Sequence, residues 1–221
     1  MVNYGSKHVL WQALVFTIII FAVGLIFGFY LESLRASTVE LNLLSSEINL
    51  LDEQLRGKIV ENSNLSCEIA LDSTFAFADK VYDEALKLEE YDSSSKFNGD
   101  TLLILHKRYD LLRAMFWTEA VTLKKRCPSF HTVVYFFDYA SDDINIKAKQ
   151  AFFSNLLRTV KEENPNKILL IPIAADLDLA AVDIAMQTYK VNSSPMILID
   201  ETKRVSDVIT EKEFKDLILG S

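Results

Sequence analysis

From Val9 to Leu31 the chain reads VLWQALVFTIIIFAVGLIFGFYL, 23 residues without a charged side chain. No other feature constrains the fold as much. A helix of that length covers about 34 Å, against about 30 Å for the hydrocarbon core of a bilayer. Trp11 and Tyr30 stand near its two ends, where amphipathic rings prefer to sit. The run exceeds the apolar stretch of a cleaved signal, and no clean small-x-small site follows it. A retained signal anchor is therefore expected, with the lipid bilayer as partner through residues 9–31. Lys7 before the run and Arg35 after it nearly balance. A short tail carrying the positive end matches a signal anchor, so a single-pass protein with its large domain outside the cytoplasm is expected. Gly24 and Gly28 make a GxxxG spacing, which reads either as a homodimer contact or as ordinary glycine usage in a membrane helix.

Lys7 is the only charged side chain ahead of Glu32, and the whole chain carries a formal charge of −8, so the body beyond the apolar run is acidic. That argues against nucleic acid as a partner. With 50% apolar residues and only 6 Gly and 4 Pro, the body has the composition of a packed domain. Three regions are expected: 1–31, the tail and transmembrane anchor; 32–127, a helical stalk and hairpin; and 128–221, an α/β domain.

Leu34, Leu41, Ile48 and Leu55 recur every seven residues, with Leu44 and Leu51 between them. The stripe fits either a parallel coiled coil or a helix packed on later helices of the same chain; Leu43 and Leu50 widen the face and favour the second. Gly57 and Asn62-Ser63-Asn64 mark its expected end. A second helix is expected over 65–91, with Ile69, Phe75, Ala78, Val81, Ala85 and Leu88 near one face. A polar loop, 92–99, follows. A third helix, from about 100 to 126, repeats Leu105, Tyr109, Leu112, Phe116, Ala120 and Leu123. Its basic end, Lys124-Lys125-Arg126, suits the negative end of the helix dipole and also reads as a contact for anionic lipid or RNA.

Beyond Thr132 the period changes. TVVYFF (132–137) and KILLIPIA (167–174) are continuous apolar runs of buried strands, separated by a helix in which Ala148, Phe152, Leu156 and Val160 recur. That is a βαβ unit with parallel strands. A helix over 178–189, strands at 196–200 and 204–208 joined as a hairpin, and a helix capped by Thr210 and Glu213 complete the chain.

This order resembles the thioredoxin fold, and two segments carry the resemblance. Tyr189 to Pro195, YKVNSSP, looks like the approach to that family's cis-proline, which puts Pro195 at the position. Val134 to Ile144, VYFFDYASDDI, looks like the strand and loop that end in CxxC in catalytic members. In this register Ser141 and Ile144 replace the two cysteines, with Asp142 and Asp143 between them. Thiol–disulfide exchange needs a thiolate at a helix N-terminus. A hydroxyl and a hydrocarbon supply none, and two acids beside them would raise the pKa of any thiol brought near. The resemblance thus implies a thioredoxin-like domain without catalytic residues, cofactor or metal, acting on an unknown protein partner as an interaction or assembly module.

Only Cys67 and Cys127 occur. If the second and third helices are antiparallel, both sulfurs lie at one end of the hairpin, and a disulfide would contribute about 4 kcal/mol on the chain-entropy estimate. Two buried thiols or a redox-active pair are the competing readings. The last would make the protein a membrane-tethered thiol–disulfide oxidoreductase or isomerase using Cys127 or Cys67. A structural subunit of a membrane complex, dimerised through its stalk, is the third functional reading. His8, His106 and His131 are scattered, two sequons (Asn64, Asn192) carry little weight, and Asp176 or Asp178 is expected to cap the helix that follows it.

Overall fold

The structure is a computed structural model that describes residues 6–62, 65–93 and 99–220. Its elements, in chain order, are α1 (Ser6–Asn62), α2 (Cys67–Ser93), α3 (Gly99–Arg126), β1 (His131–Phe137), α4 (Ile144–Glu163), β2 (Ile168–Ala174), α5 (Ala180–Thr188), β3 (Met196–Ile199), β4 (Lys203–Val205) and α6 (Glu211–Leu219). Contacts divide the chain into two compact units, Met1–Ile48 and Asn49–Ser221. Most of the 92–99 loop and Ser63 and Asn64 lie outside the described residues.

The first unit is the N-terminal part of α1. Within it, Val9–Leu31 is a helical segment long and apolar enough to cross a membrane, and its large side chains, Trp11 and Tyr30 included, are exposed.

The second unit is built on a mixed four-stranded sheet in the order β2-β1-β3-β4. β1 runs parallel to β2 and antiparallel to β3, and β3 is antiparallel to β4. Strand alternation sends Val133, Tyr135, Ile168, Ile197, Ile199 and Val205 to one face. There they meet Phe153, Leu156, Leu157 and Val160 of α4 and Phe214 and Ile218 of α6. The expected α4 stripe is right in its second half only: Leu156 and Val160 are buried, whereas Ala148 and Phe152 are exposed and Phe153 and Leu157 fill the core in their place. Thr210 and Glu213 form the capping box that starts α6.

The opposite face, with Val134, Phe136, Leu169, Ile171, Ile173 and Leu198 buried, is covered by α3. The Trp117 ring lies 5.9 Å from Phe136 and 4.9 Å from Tyr189, beyond the end of α5. All six residues of the expected α3 stripe are buried, and so α3 shares one core with the sheet. α2 lies against α3 through Phe77, whose ring sits 5.3 Å from that of Phe116.

Two expectations for α1 need correction. Gly57 does not end the helix; it is buried inside it, and a β-carbon there would overlap the carboxylate of Glu119, so the missing side chain permits a close approach of α1 and α3. Within the second unit, the heptad residues of α1 do not pack on α2 and α3. Leu51 and Leu55 are exposed, and the buried residues of this stretch are Asn49, Glu53, Gly57 and Val60, on the other side of the helix.

Candidate functional site

The C-terminal end of β1 leads into the segment 138–144, which runs to the start of α4. Asp138 is fastened on three sides: its N–H donates to Gln150 Oε1 (3.2 Å), its carbonyl accepts from Gln150 Nε2 (3.0 Å), and its carboxylate accepts from the Ser194 hydroxyl. Asp176 does not cap α5, whose N-cap is Leu179 without a side-chain bond. Its carboxylate instead accepts from the backbone N–H groups of Tyr139 (2.7 Å) and Ala140 (3.0 Å), which pins the β1–α4 loop to the end of β2. Ser141 accepts from the Asp143 N–H at 3.3 Å, and Asp143 is the N-cap of α4, accepting from Asn145 N at 2.7 Å. Ser141 and Asp143 thus close a local turn. Asp142 is exposed, and Ile144, at 79% exposure, projects an aliphatic side chain from the first turn of α4.

Pro195 is buried and its peptide with Ser194 is cis. The Ser194–Asp138 bond holds it at the same end of the sheet as the loop. Tyr139 extends the site toward α2 and α3: its hydroxyl donates to Asp92 (3.4 Å), and its ring lies 4.2 Å from His106, which itself bonds Asp92 at 2.9 Å. Partial burial, followed by the charge of Asp92, pushes the Tyr139 phenol up.

The two cysteines are elsewhere. Cys67 and Cys127 are joined as a disulfide, with α-carbons 5.6 Å apart, between the start of α2 and the residue after α3. Cys127 precedes β1, whereas Pro195 adjoins Met196, the partner of Phe136 near the far end of that strand. The seven residues of β1, about 20 Å at the usual rise, separate the disulfide from the proline.

Sequence reasoning missed a buried polar cluster between α1, α2 and α3. Glu53 is fully buried and receives both arms of the Arg56 guanidinium, from Nε at 2.7 Å and Nη2 at 2.5 Å. Arg56 also donates to Glu119 (3.0 Å) and Thr74 (3.3 Å), with its planar group 5.3 Å from the ring centre of Phe77 and 5.9 Å from that of Phe116. Desolvation first, then the hydrogen bond and charge of Glu53, push the Glu119 carboxyl up to about 9, so that one proton lies between two acids. A partly open cavity of about 430 Å³ adjoins the cluster, bordered by Arg56, Glu119, Thr122 and Lys125. The only sequence signal was Gly57 set within an otherwise regular helix.

A second network lies at the N-terminal end of β1. Asp200 accepts from Lys124 Nζ and from Thr132 N (3.0 Å), and it pairs with His131 Nδ1 (2.7 Å). Glu201 accepts from the Trp117 indole (2.9 Å) and the Thr132 hydroxyl (2.8 Å). Both acids have left-handed backbones, φ 51° and 59°, at the β3–β4 turn. Burial alone would raise the Asp200 pKa, but the bonds and charges of His131 and Lys124 outweigh it and hold the carboxyl low. This network ties α3 to the hairpin. Among the described residues no group of three or more His, Cys, Asp or Glu is placed to hold a metal ion. No protein-family model, curated protein or solved structure matches the chain.

Proposed function

We propose that the protein is a bilayer-anchored module of thioredoxin-like fold that works by binding another protein and performs no thiol–disulfide exchange. The observation that carries this reading is the junction of β1 and α4. The strand order β2-β1-β3-β4, with only β1 and β2 parallel, suits that fold. At the start of α4, where the resemblance puts reactive sulfur, the Ser141 hydroxyl closes a turn and Ile144 stands exposed. The sequence's two cysteines are bonded to each other at the other end of β1. Val9–Leu31 supplies the anchor, and the disulfide favours the oxidising side of the membrane for the second unit.

The binding surface in this reading is the end of the sheet around Ile144 and Pro195. An exposed isoleucine beside a fastened loop offers an apolar contact with little ordering cost. A photo-crosslinking side chain at position 144 should capture one discrete protein in native membranes, whereas the same group at Glu162, exposed on α4, should not. Equal capture from both sites would defeat the assignment of the surface. Dithiol-dependent reduction of insulin by the full-length protein in vesicles would defeat the non-catalytic reading, and release of the chain by alkaline carbonate would defeat the anchor.

A further inference from the structure

α1 presents two faces beyond the apolar segment, and the fold of the second unit uses the polar one. Asn49, Glu53, Gly57 and Val60 are buried. The face opposite them carries Leu51, Leu55 and Ile59, and the heptad extends N-terminally through Ile48, Leu44 and Leu41. These six aliphatic side chains are each 51–66% exposed. A row of that length without a cover marks an interaction surface.

We propose that this stripe is the seam of a parallel homodimeric coiled coil, with a second copy of the same chain as its occupant. The spacing is the first argument. Leu41, Ile48 and Leu55 fall on a positions and Leu44 and Leu51 on d positions, a period of 3.5. A helix keeps that period on a seam only against another helix of the same pitch, and an identical chain presents an identical row of knobs and holes. The area is the second argument. Six half-exposed aliphatic side chains offer about 600 Å² per copy, so a pair buries about 1,200 Å², the lower edge of the range for stable interfaces. The third is the division of labour on the helix: in the second unit the contacts with α2 and α3 leave Leu51, Leu55 and Ile59 exposed, so dimerisation requires no rearrangement of that unit.

The parallel sense rests on the bilayer-anchor reading, since two chains inserted through Val9–Leu31 with the same orientation leave the membrane side by side. In that register Glu47, a g position, lies across the seam from the e position, Asp52, of the second copy, and both are exposed in the single chain. Like charges there weaken the pair. The stripe therefore makes a dimer of limited strength whose register is open to a charge test.

Because both native cysteines are bonded to each other, an introduced cysteine is the one free thiol among the described residues. Full-length protein carrying Leu51→Cys or Leu55→Cys, oxidised in phosphatidylcholine vesicles, should give a linked dimer, whereas Glu162→Cys should not. The yield should persist on roughly tenfold dilution with lipid. Equal linking from Glu162→Cys, or loss of the dimer on dilution, overturns the proposal. In detergent, the Leu51→Asp/Leu55→Asp pair should raise the dissociation constant more than about a hundredfold while leaving the melting transition of the second unit in place. Glu47→Lys should tighten the dimer by about two- to tenfold by setting a lysine opposite Asp52. A weaker or unchanged dimer from Glu47→Lys excludes the parallel register. Carbonate extraction reads the anchor separately: release from membranes with dimerisation retained in detergent sinks the anchor alone, and monomers that resist extraction sink the seam alone.

Discussion

The two sides of the sheet are held by different physics. On the α4/α6 side the contacts are aliphatic and aromatic, with Phe153, Phe214 and Ile218 at zero exposure. On the α3 side an equally dense layer is overlain by α1 and α2, and between those helices the molecule buries ions: Glu53 with Arg56, and one layer nearer the sheet Asp110 with Arg113, where Asp110 also accepts from the N–H of Ala174 at 3.1 Å. Apolar burial is non-directional and tolerates imprecision, whereas a buried ion is favourable only while every partner stays in place. The first side supplies bulk stability. The second defines how α1 and α2 sit on the sheet.

The sharpest way to break this contrast is to damage each side once. Phe153→Ala should cost about 3–5 kcal/mol through lost transfer energy and a cavity, read as a lower denaturation midpoint in urea. Arg56→Leu should cost a similar 3–5 kcal/mol for another reason, because Glu53 then stays buried without its cation. The two are separated by a third protein. Leucine at 53, 56 and 119 together removes the stranded charges and should be less destabilising than Arg56→Leu alone. A triple variant worse than the single one would mean that packing, and not charge, dominates the junction.

Next in size is the clamp on the same side. The disulfide bridges positions 60 residues apart and fastens the start of α2 to the end of α3. Its reduction, or Cys67→Ser with Cys127→Ser, should cost about 2–4 kcal/mol. The loss should appear as increased hydrogen exchange in α2, with β1 and α4 protected until global unfolding. Uniform exchange across both sides would erase the distinction between them.

The same contrast explains how far the fold could be read in advance. The α3 stripe, the apolar runs that became β1 and β2, and the Thr210–Glu213 capping box were legible because periodicity and local capping are written in short windows. Thr210→Ala should accordingly have a local effect of about 1 kcal/mol. Glu53 and Arg56 were not legible: a charged pair at i,i+3 on a helix reads as solvated surface until its neighbours are known. The Leu41–Leu55 stripe shows the converse failure, a pattern that was visible while the face that packs within the chain was the opposite one. Asp176 followed the same logic. Its position before α5 pointed to a cap, but the nearest unpaired N–H groups belonged to Tyr139 and Ala140, across the sheet end. In the candidate site, the segment that holds Ser141 and Asp143 was singled out by a resemblance and not by any period or cap; the bond from Ser194 to Asp138, 56 residues apart, left no trace in the sequence.

The most specific effect concerns the proton on Glu119. Its folded pKa of about 9 lies above the ordinary carboxyl value of 4.5, so the native state keeps a proton that the unfolded chain releases. Stability from this group is therefore complete below pH 4.5 and declines as pH rises toward 9. Asp200 works the other way. Its carboxyl is held below the ordinary value of 3.8, so its contribution is present above that value and is lost as pH falls through the folded pKa. The urea midpoint should then fall at both extremes of pH, through two different networks: Glu119 with Glu53 and Arg56, and Asp200 with Lys124 and His131. Glu119→Gln retains a neutral donor in place of the protonated acid and should flatten the alkaline limb alone. Asp200→Asn should remove the acid-side loss while leaving the alkaline limb intact, because it lies at the β3–β4 turn and not in the helical junction. A wild-type midpoint that holds constant from pH 6 to 9 would mean that Glu53 and Glu119 are both ionised around Arg56, and the buried proton would have to be abandoned.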